Sequence, residues 1–196
     1  MFELTADYAL RLKPLSYRDV PELYRLIDQY RIELGQYLPW VRKQSIHDTY
    51  AFVDFSIGQE RRLEGFQAGL FYMGALVGVI GYHKIDWENH KTSLGYWLAP
   101  PYQGKGLMTK AAKVMVDYAF FEYRLNRLEI RAATENWPSR KVAERLGFTY
   151  EGTLREAEWL GDRYVDHAVY GLLRHEWRRR QDDEKRKEHP HDFFTQ

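Results

Sequence analysis

Tyr8, Leu10 and Leu12 alternate with Ala9, Arg11 and Lys13, the period of a strand with one buried face, and Pro14 ends the run. The period then changes. Ser16 with Asp19 three residues on reads as a variant capping box, and Pro21 sits in a first turn. Leu23, Leu26, Ile27 and Tyr30 share one helical face, which predicts a helix fading near Gly35. A second capped helix is predicted from Ser45, with Asp48 at the matching offset, Ile46, Val53 and Ile57 along it, and a stop near Gly58. Between the two helices Tyr37 to Val41 reads YLPWV, too bulky for a solvated linker and suited to lining or covering something. Two apolar runs, Ala68 to Met73 and Leu76 to Ile85, read as a hairpin turning at Gly74 and Ala75.

Thr92 to Leu98 predicts a further strand, closed by Ala99, Pro100 and Pro101. A glycine-containing turn leads from it into a long helix whose Leu107, Ala111, Val114, Met115 and Tyr118 recur at spacings of three and four, a sheet-facing stripe. Leu128 to Ala133 is the next strand. Asn136 caps a short helix with Pro138 in its first turn, ending at Leu146 and Gly147. The last extended runs are Phe148 to Tyr150 and on to Trp159, a Gly161-Asp162 turn, then Tyr164 to Leu173. No internal repeat or dividing linker interrupts residues 1–175, which predict a single domain. Residues 176–196 are strongly polar, with Phe193 and Phe194 near the end, and predict a solvated helix and frayed tail.

Composition narrows the function classes. Of 196 residues 44% are apolar, enough for one well-buried core. Lys plus Arg number 29 against 28 Asp plus Glu, so no overall field draws the chain to nucleic acid or to an anionic membrane. The chain has no cysteine, which excludes disulfides, thiolate metal sites and a cysteine nucleophile, and predicts a reducing, cytoplasmic setting. The first residues carry acids and no long apolar run, unlike a signal peptide or a membrane span.

The most informative stretch is Leu98-Ala-Pro-Pro-Tyr-Gln-Gly-Lys-Gly-Leu-Met-Thr109. A strand ends, a Gly104/Gly106 loop follows and a helix opens, so backbone N–H groups converge where the helix dipole is positive, a setting suited to a diphosphate. The spacing is neither that of an NTPase P-loop nor of the three-glycine dinucleotide fingerprint. Two glycines alone would serve a plain turn equally well. The second constellation is Asn136-Trp137-Pro138-Ser139, then Val142, Glu144, Leu146 and Gly147-Phe148. Helix capping by itself accounts for Asn136 and Ser139.

Together, QGKGLMT at a helix start and N-x-x-S-x-x-V-x-E-x-x-G-F after the next strand resemble the acetyl-CoA-binding core of the GNAT acetyltransferases. LPW near the start, GYWLAPPYQGKGLMTKA in the middle and EGTLREAEWLGDRYVDHAVYGLL near the end resemble the RimJ/RimL branch, which acetylates the N-terminal amines of ribosomal proteins. The resemblance covers residues 8 to 175. It implies a mixed α/β fold with a mostly antiparallel central sheet splayed at its fourth strand and helices on both faces. It also implies that amides of Gln103, Gly104, Lys105, Gly106, Leu107, Met108 and Thr109 hold the diphosphate of acetyl-CoA. Leu98 would pair with the pantetheine arm and offer its amide to the thioester oxygen, Asn136 would bond the pantetheine region, and Ser139 would lie near the sulfur. Met108 stands where the superfamily has a smaller residue. Glu158, in REAEWL, matches the position of the carboxylate that takes the amine proton, with Ser139 as the second catalytic residue.

The chemistry leaves alternatives. Glu156 competes with Glu158, since two residues apart on a regular strand they share a face. Tyr37, Trp40 and Phe71 would wall the acceptor site or merely pack. His83 and His167, the latter beside Asp166, lack partners at metal-ligand spacing, so no metal site is expected. The expected partner is an amine acceptor, with a ribosomal protein N-terminus foremost, taken by a monomer or homodimer. The rivals are a small-amine, antibiotic or amino-acid acetyltransferase and a non-catalytic acyl-CoA-binding module.

Overall fold

A computed structural model describes residues 3–188; Phe193 and Phe194 lie outside them. In chain order the elements are β1 (Leu4–Thr5), β2 (Leu10–Pro14), α1 (Val20–Gln29), α2 (Arg31–Leu34), α3 (Ile46–Arg61), β3 (Gln67–Tyr72), β4 (Ala75–Tyr82) and β5 (Lys91–Leu98). They continue with α4 (Leu107–Phe121), β6 (Arg127–Ala133), α5 (Trp137–Arg145), β7 (Thr149–Trp159), β8 (Tyr164–Leu173) and α6 (Arg174–Glu188). The strands form one sheet in the order β1-β2-β3-β4-β5-β6-β8-β7.

Every neighbouring pair is antiparallel except β5 and β6. These two run parallel and pair only from Lys91 with Arg127 to Leu94 with Ile130. Beyond that point they part, and β5 runs on to Leu98 with no partner on that side. The expected splay is therefore present in the Thr92–Leu98 strand. It is fifth rather than fourth because Leu4 and Thr5 pair with Leu12 and Arg11, a strand too short for any periodicity to reveal.

Alternation along the strands sends side chains to two cores. Leu94, Tyr96 and Leu98 of β5 and Leu128 and Ile130 of β6 join α4 and α5 residues on one face. Trp97 of β5, with Val79 of β4, joins Leu23, Ile27 and Val53 of α1 and α3 on the other. Leu10, Leu12, Leu70 and Ile80 are fully buried, each contributing about 1.5–3 kcal/mol. Among the described residues no helix is long and apolar enough to cross a membrane.

Three local expectations change. The capping box at Ser45 and Asp48 is present, but α3 continues through Gly58 to Arg61. One interior glycine costs only about 1 kcal/mol, less than the packing of this helix on α1 supplies. The β3–β4 hairpin turns one residue earlier, at Met73 (φ 50°) and Gly74 (φ 86°), because the tight hairpin turn needs positive φ at both central positions. The C-terminal extended runs form one strand, β7, interrupted by register shifts.

Candidate active site

The loop after β5 is built for close approach from outside. Gly104 and Gly106 both have φ 74°, a left-handed conformation that other L-residues adopt at a cost of roughly 1–2 kcal/mol. A Cβ placed on either would touch nothing within 4 Å, so conformation demands these glycines and packing does not. Lys110 N–H closes a helical bond onto Gly106 O at 3.1 Å. The first-turn amides of Leu107, Met108 and Thr109 therefore have no carbonyl one turn earlier to bond. Met108 itself is buried in the core. Its bulk points beneath the loop and leaves the cradle open, which explains why a larger residue is accommodated there.

Neighbouring contacts fix this loop to the sheet. Gln103 Nε2 donates to Leu98 O at 2.8 Å, and the Lys105 ammonium stands 5.5 Å over the Tyr102 ring. Lys110 is ion-paired to Asp7 at 2.6 Å; that ammonium, together with the Ala9 and Leu10 amides, holds the Asp7 carboxyl below its usual range. At the strand end, Ala99 N–H donates to Val77 O. Leu98 sits opposite Gly78, so by strand alternation its N–H and C=O point away from β4, into the gap where β5 and β6 diverge.

The second constellation closes the other side of that gap. Asn136 caps α5, its Oδ1 accepting from Ser139 N–H at 3.3 Å. Ser139 Oγ lies 3.2 Å from the Tyr96 hydroxyl, which itself donates to Ser139 O at 3.0 Å. Burial pushes the Tyr96 phenol up to about 12, so it remains a neutral hydroxyl at physiological pH. Arg140 reinforces the turn into α5. It stacks 4.1 Å over Trp137, donates to Thr134 O at 2.8 Å and reaches Tyr170 Oη at 2.9 Å.

On the opposite face, α1, α3 and the Pro39–Lys43 turn enclose a cleft of about 690 Å³ over β3–β5, within the usual size range for ligand sites. Leu23, Ile27, Trp40, Phe52, Val79 and Trp97 supply its apolar walls, and it reaches Tyr96. Its charged lining groups are Lys43 and Asp48, and Asp48 is held by the Ser45 N–H and hydroxyl as a helix cap. Gln44, also in the lining, is buried with its Oε1 unpartnered. His83 lies at the end away from Leu98, its Nδ1 2.8 Å from Ser93 Oγ; desolvation lowers its pKa.

Of the three aromatic residues expected at the acceptor side, Trp40 lines this cleft. Tyr37 instead packs with Ala133, Leu160 and Val165, and its hydroxyl donates to Glu135 O at 3.2 Å, one residue before Asn136. Phe71 stands apart in the α1–α3 core, with the Lys13 ammonium 5.1 Å over its ring.

Glu158 is half-buried on the same face as the cleft, across the splay, and its Oε2 lies 3.0 Å from His167 Nε2. Glu156 is exposed and lies where the regular alternation that would pair it with Glu158 is broken. It has φ 49°, its N–H is tied to Asp166 Oδ1 at 2.8 Å, and the register shifts between Leu154 and Glu158. Tyr96 and His167 meet Ser139 and Glu158 only through pairing between distant segments, which no local spacing signals. Among the described residues no group of three or more His, Cys, Asp or Glu could hold a metal ion.

Several known proteins are similar to this chain. The family profile described as an acetyltransferase (GNAT) domain matches residues 9–149. A putative ribosomal N-acetyltransferase, YdaF, of Bacillus subtilis is 38% identical over 181 residues, covering 90% of this chain and 98% of its own. The ribosomal-protein-serine acetyltransferase of Escherichia coli is 32% identical over 166 residues, covering 84% and 93%. The crystallised RimL ribosomal L7/L12 α-N-protein acetyltransferase in complex with coenzyme A superposes with a TM-score of 0.84 at 26% identity, covering 88% and 98%.

Proposed function

Since this chain belongs to the GNAT acetyltransferase family and is an acetyl-CoA-dependent N-acetyltransferase, we propose that its acceptor is the N-terminal amine of a protein, with a ribosomal protein foremost. The observation that carries this reading is a large cleft over β3–β5 that reaches Tyr96, whose hydroxyl meets Ser139 beside the strand end that leads into the glycine loop. Curated relatives named for ribosomal-protein acetylation support the same acceptor class.

The residues present suit acetyl-CoA. Two left-handed glycines with open space above them and unbonded first-turn amides would hold its diphosphate along Gly104–Thr109; the Gln103 N–H, expected to join them, is instead taken by Pro100 O at 3.1 Å. Leu98 and Asn136 would hold the pantetheine arm, with Ser139 near the sulfur. The bound group supplies an activated acetyl thioester. Leu98 N–H, directed into the gap, offers a donor to the thioester oxygen. The Ser139 hydroxyl, coupled to Tyr96 Oη, offers a proton to the departing sulfur. That demand is modest, because a thiol has a pKa of about 8.5. Glu158 takes the proton from the amine as the nitrogen–carbon bond forms, directly or through one water.

An N-terminal amine, with a pKa of about 7.7–8.0 against about 10.4 for lysine, is cheaper to deprotonate by about 3.5 kcal/mol. A single carboxylate therefore suffices as proton acceptor. Within the cleft, Asp48 is committed to a helix cap and Lys43 adds a positive charge, so a polycation would find only Glu158, at the splay, for its several charges, whereas a peptide presents one amine to that carboxylate. The test is incubation with acetyl-CoA and a panel of serine- and alanine-initiated peptides, N-blocked lysine peptides and spermidine, read by mass spectrometry. Acetylation of the free N-termini supports the reading; exclusive acetylation of lysine or spermidine refutes it.

A further inference from the structure

We propose that His167 is a positioning residue for this transferase, donating from Nε2–H to Glu158 Oε2 so that the other carboxylate oxygen is held toward the acceptor amine. The inference rests on the reading of Glu158 as proton acceptor given above. The hairpin geometry carries it. In β7–β8, Leu154 lies opposite His167 and Glu158 opposite Val165, so four steps along β7 are matched by two along β8. An unbroken ladder would set Glu156 opposite Val165. The bulge sets Glu158 there instead, and Asp166 pins it by accepting the Glu156 N–H at 2.8 Å.

Val165 and His167 are two residues apart on β8 and face the same way. Glu158 and His167 are thus diagonal cross-strand neighbours, a spacing that long side chains bridge, and they meet at 3.0 Å. The His167 side chain is 19% exposed and that of Glu158 38%. The imidazole therefore backs the carboxylate from the more buried side and leaves it open to solvent on the other.

An ionised carboxylate only accepts hydrogen bonds, so Nε2 must carry the proton in this pair. His167 keeps that proton throughout the reaction. The amine proton goes to Glu158, the new nitrogen–carbon bond forms as the carbon–sulfur bond breaks, and the sulfur regains a proton at the Ser139 side. The work of His167 is geometric: it restricts a flexible carboxylate to one orientation, and a misplacement of about 1 Å is enough to cost roughly a hundredfold in rate.

The test compares full-length wild type, E158Q, H167L and H167Q with acetyl-CoA and a serine-initiated peptide, together with nitrogen-15 spectra of the histidine side chains. We expect H167L to lower kcat roughly ten- to a hundredfold with the KM for acetyl-CoA unchanged. H167Q, a neutral donor of similar reach, should restore most of the rate. The wild-type spectrum should show His167 as the Nε2–H tautomer. Full kcat in H167L alongside a slow E158Q would overturn the role of His167 and spare Glu158; full kcat in E158Q would remove Glu158 as proton acceptor and this inference with it. Should H167L not fold, the tautomer decides, and an Nδ1–H form overturns the proposal.

Discussion

Replacing Gly106 by glutamate separates folding from cofactor binding at the cradle. Any Cβ at this position enters open space, so the free protein suffers no overpacking. The cost to folding is the left-handed backbone, φ 74°, worth about 1–2 kcal/mol. For a domain of this size that lowers Tm by roughly 2–8 °C, and G106E should remain folded. The bound state is affected far more. A carboxylate about 6 Å from a phosphate charge, at an effective dielectric constant of about 20, is repelled by about 2.8 kcal/mol, a loss of about a hundredfold in affinity. Gly106→Ala, with the same backbone strain and no charge, should lose much less, and Gly106→Asn should recover part of the strain. The assay is titration calorimetry with CoA, run beside thermal melts of each variant. A folded G106E that binds CoA as tightly as G106A refutes the cradle assignment.

Other residues give independent tests. Ser139→Ala should lower kcat roughly a hundredfold, the low end for a positioned proton donor, while leaving CoA affinity intact in calorimetry; an unchanged kcat removes the hydroxyl from the reaction. Gln44→Met deletes a buried acceptor without a partner at the loss of one bond, Nε2 to Thr49 Oγ1 at 3.1 Å. An unsatisfied buried group costs about 1–3 kcal/mol and a typical bond contributes about 1 kcal/mol, so denaturant unfolding should show equal or higher stability, and a marked loss refutes the assignment. The Tyr96 phenol, raised to about 12 by burial against about 10 in an unfolded chain, stabilises the fold fully below pH 10. That contribution is lost as pH rises toward about 12, so alkaline unfolding should be steeper in wild type than in Y96F, and superimposable curves contradict it.

The parts of the site that depend on neighbouring residues are legible in the sequence. Gly104, Gly106, the Asn136 cap and Ser139 are positioned by the backbone conformation of their own segment, so a strand-to-helix reading places them. The choice between Glu156 and Glu158 is not legible from period two, because a bulge pinned by Asp166 breaks the period. Counting back from the Gly161-Asp162 turn, where Trp159 pairs with Tyr164, would have set Glu158 opposite Val165 and within reach of His167. Tyr96 reads as one more core aromatic in its strand. Its meaning comes from contact with Ser139, 43 residues away. Phe71 and Trp40 look equivalent as exposed-face aromatics, and only the packing of α1 and α3 over β3–β5 separates a core ring from a cleft ring.

The most direct measurement is a crystal structure of the protein with CoA bound. It should show the diphosphate on the amides from Gly104 to Thr109 and the thiol in the gap between Leu98 and Ser139; a diphosphate bound away from the Gly104–Gly106 loop would contradict the account.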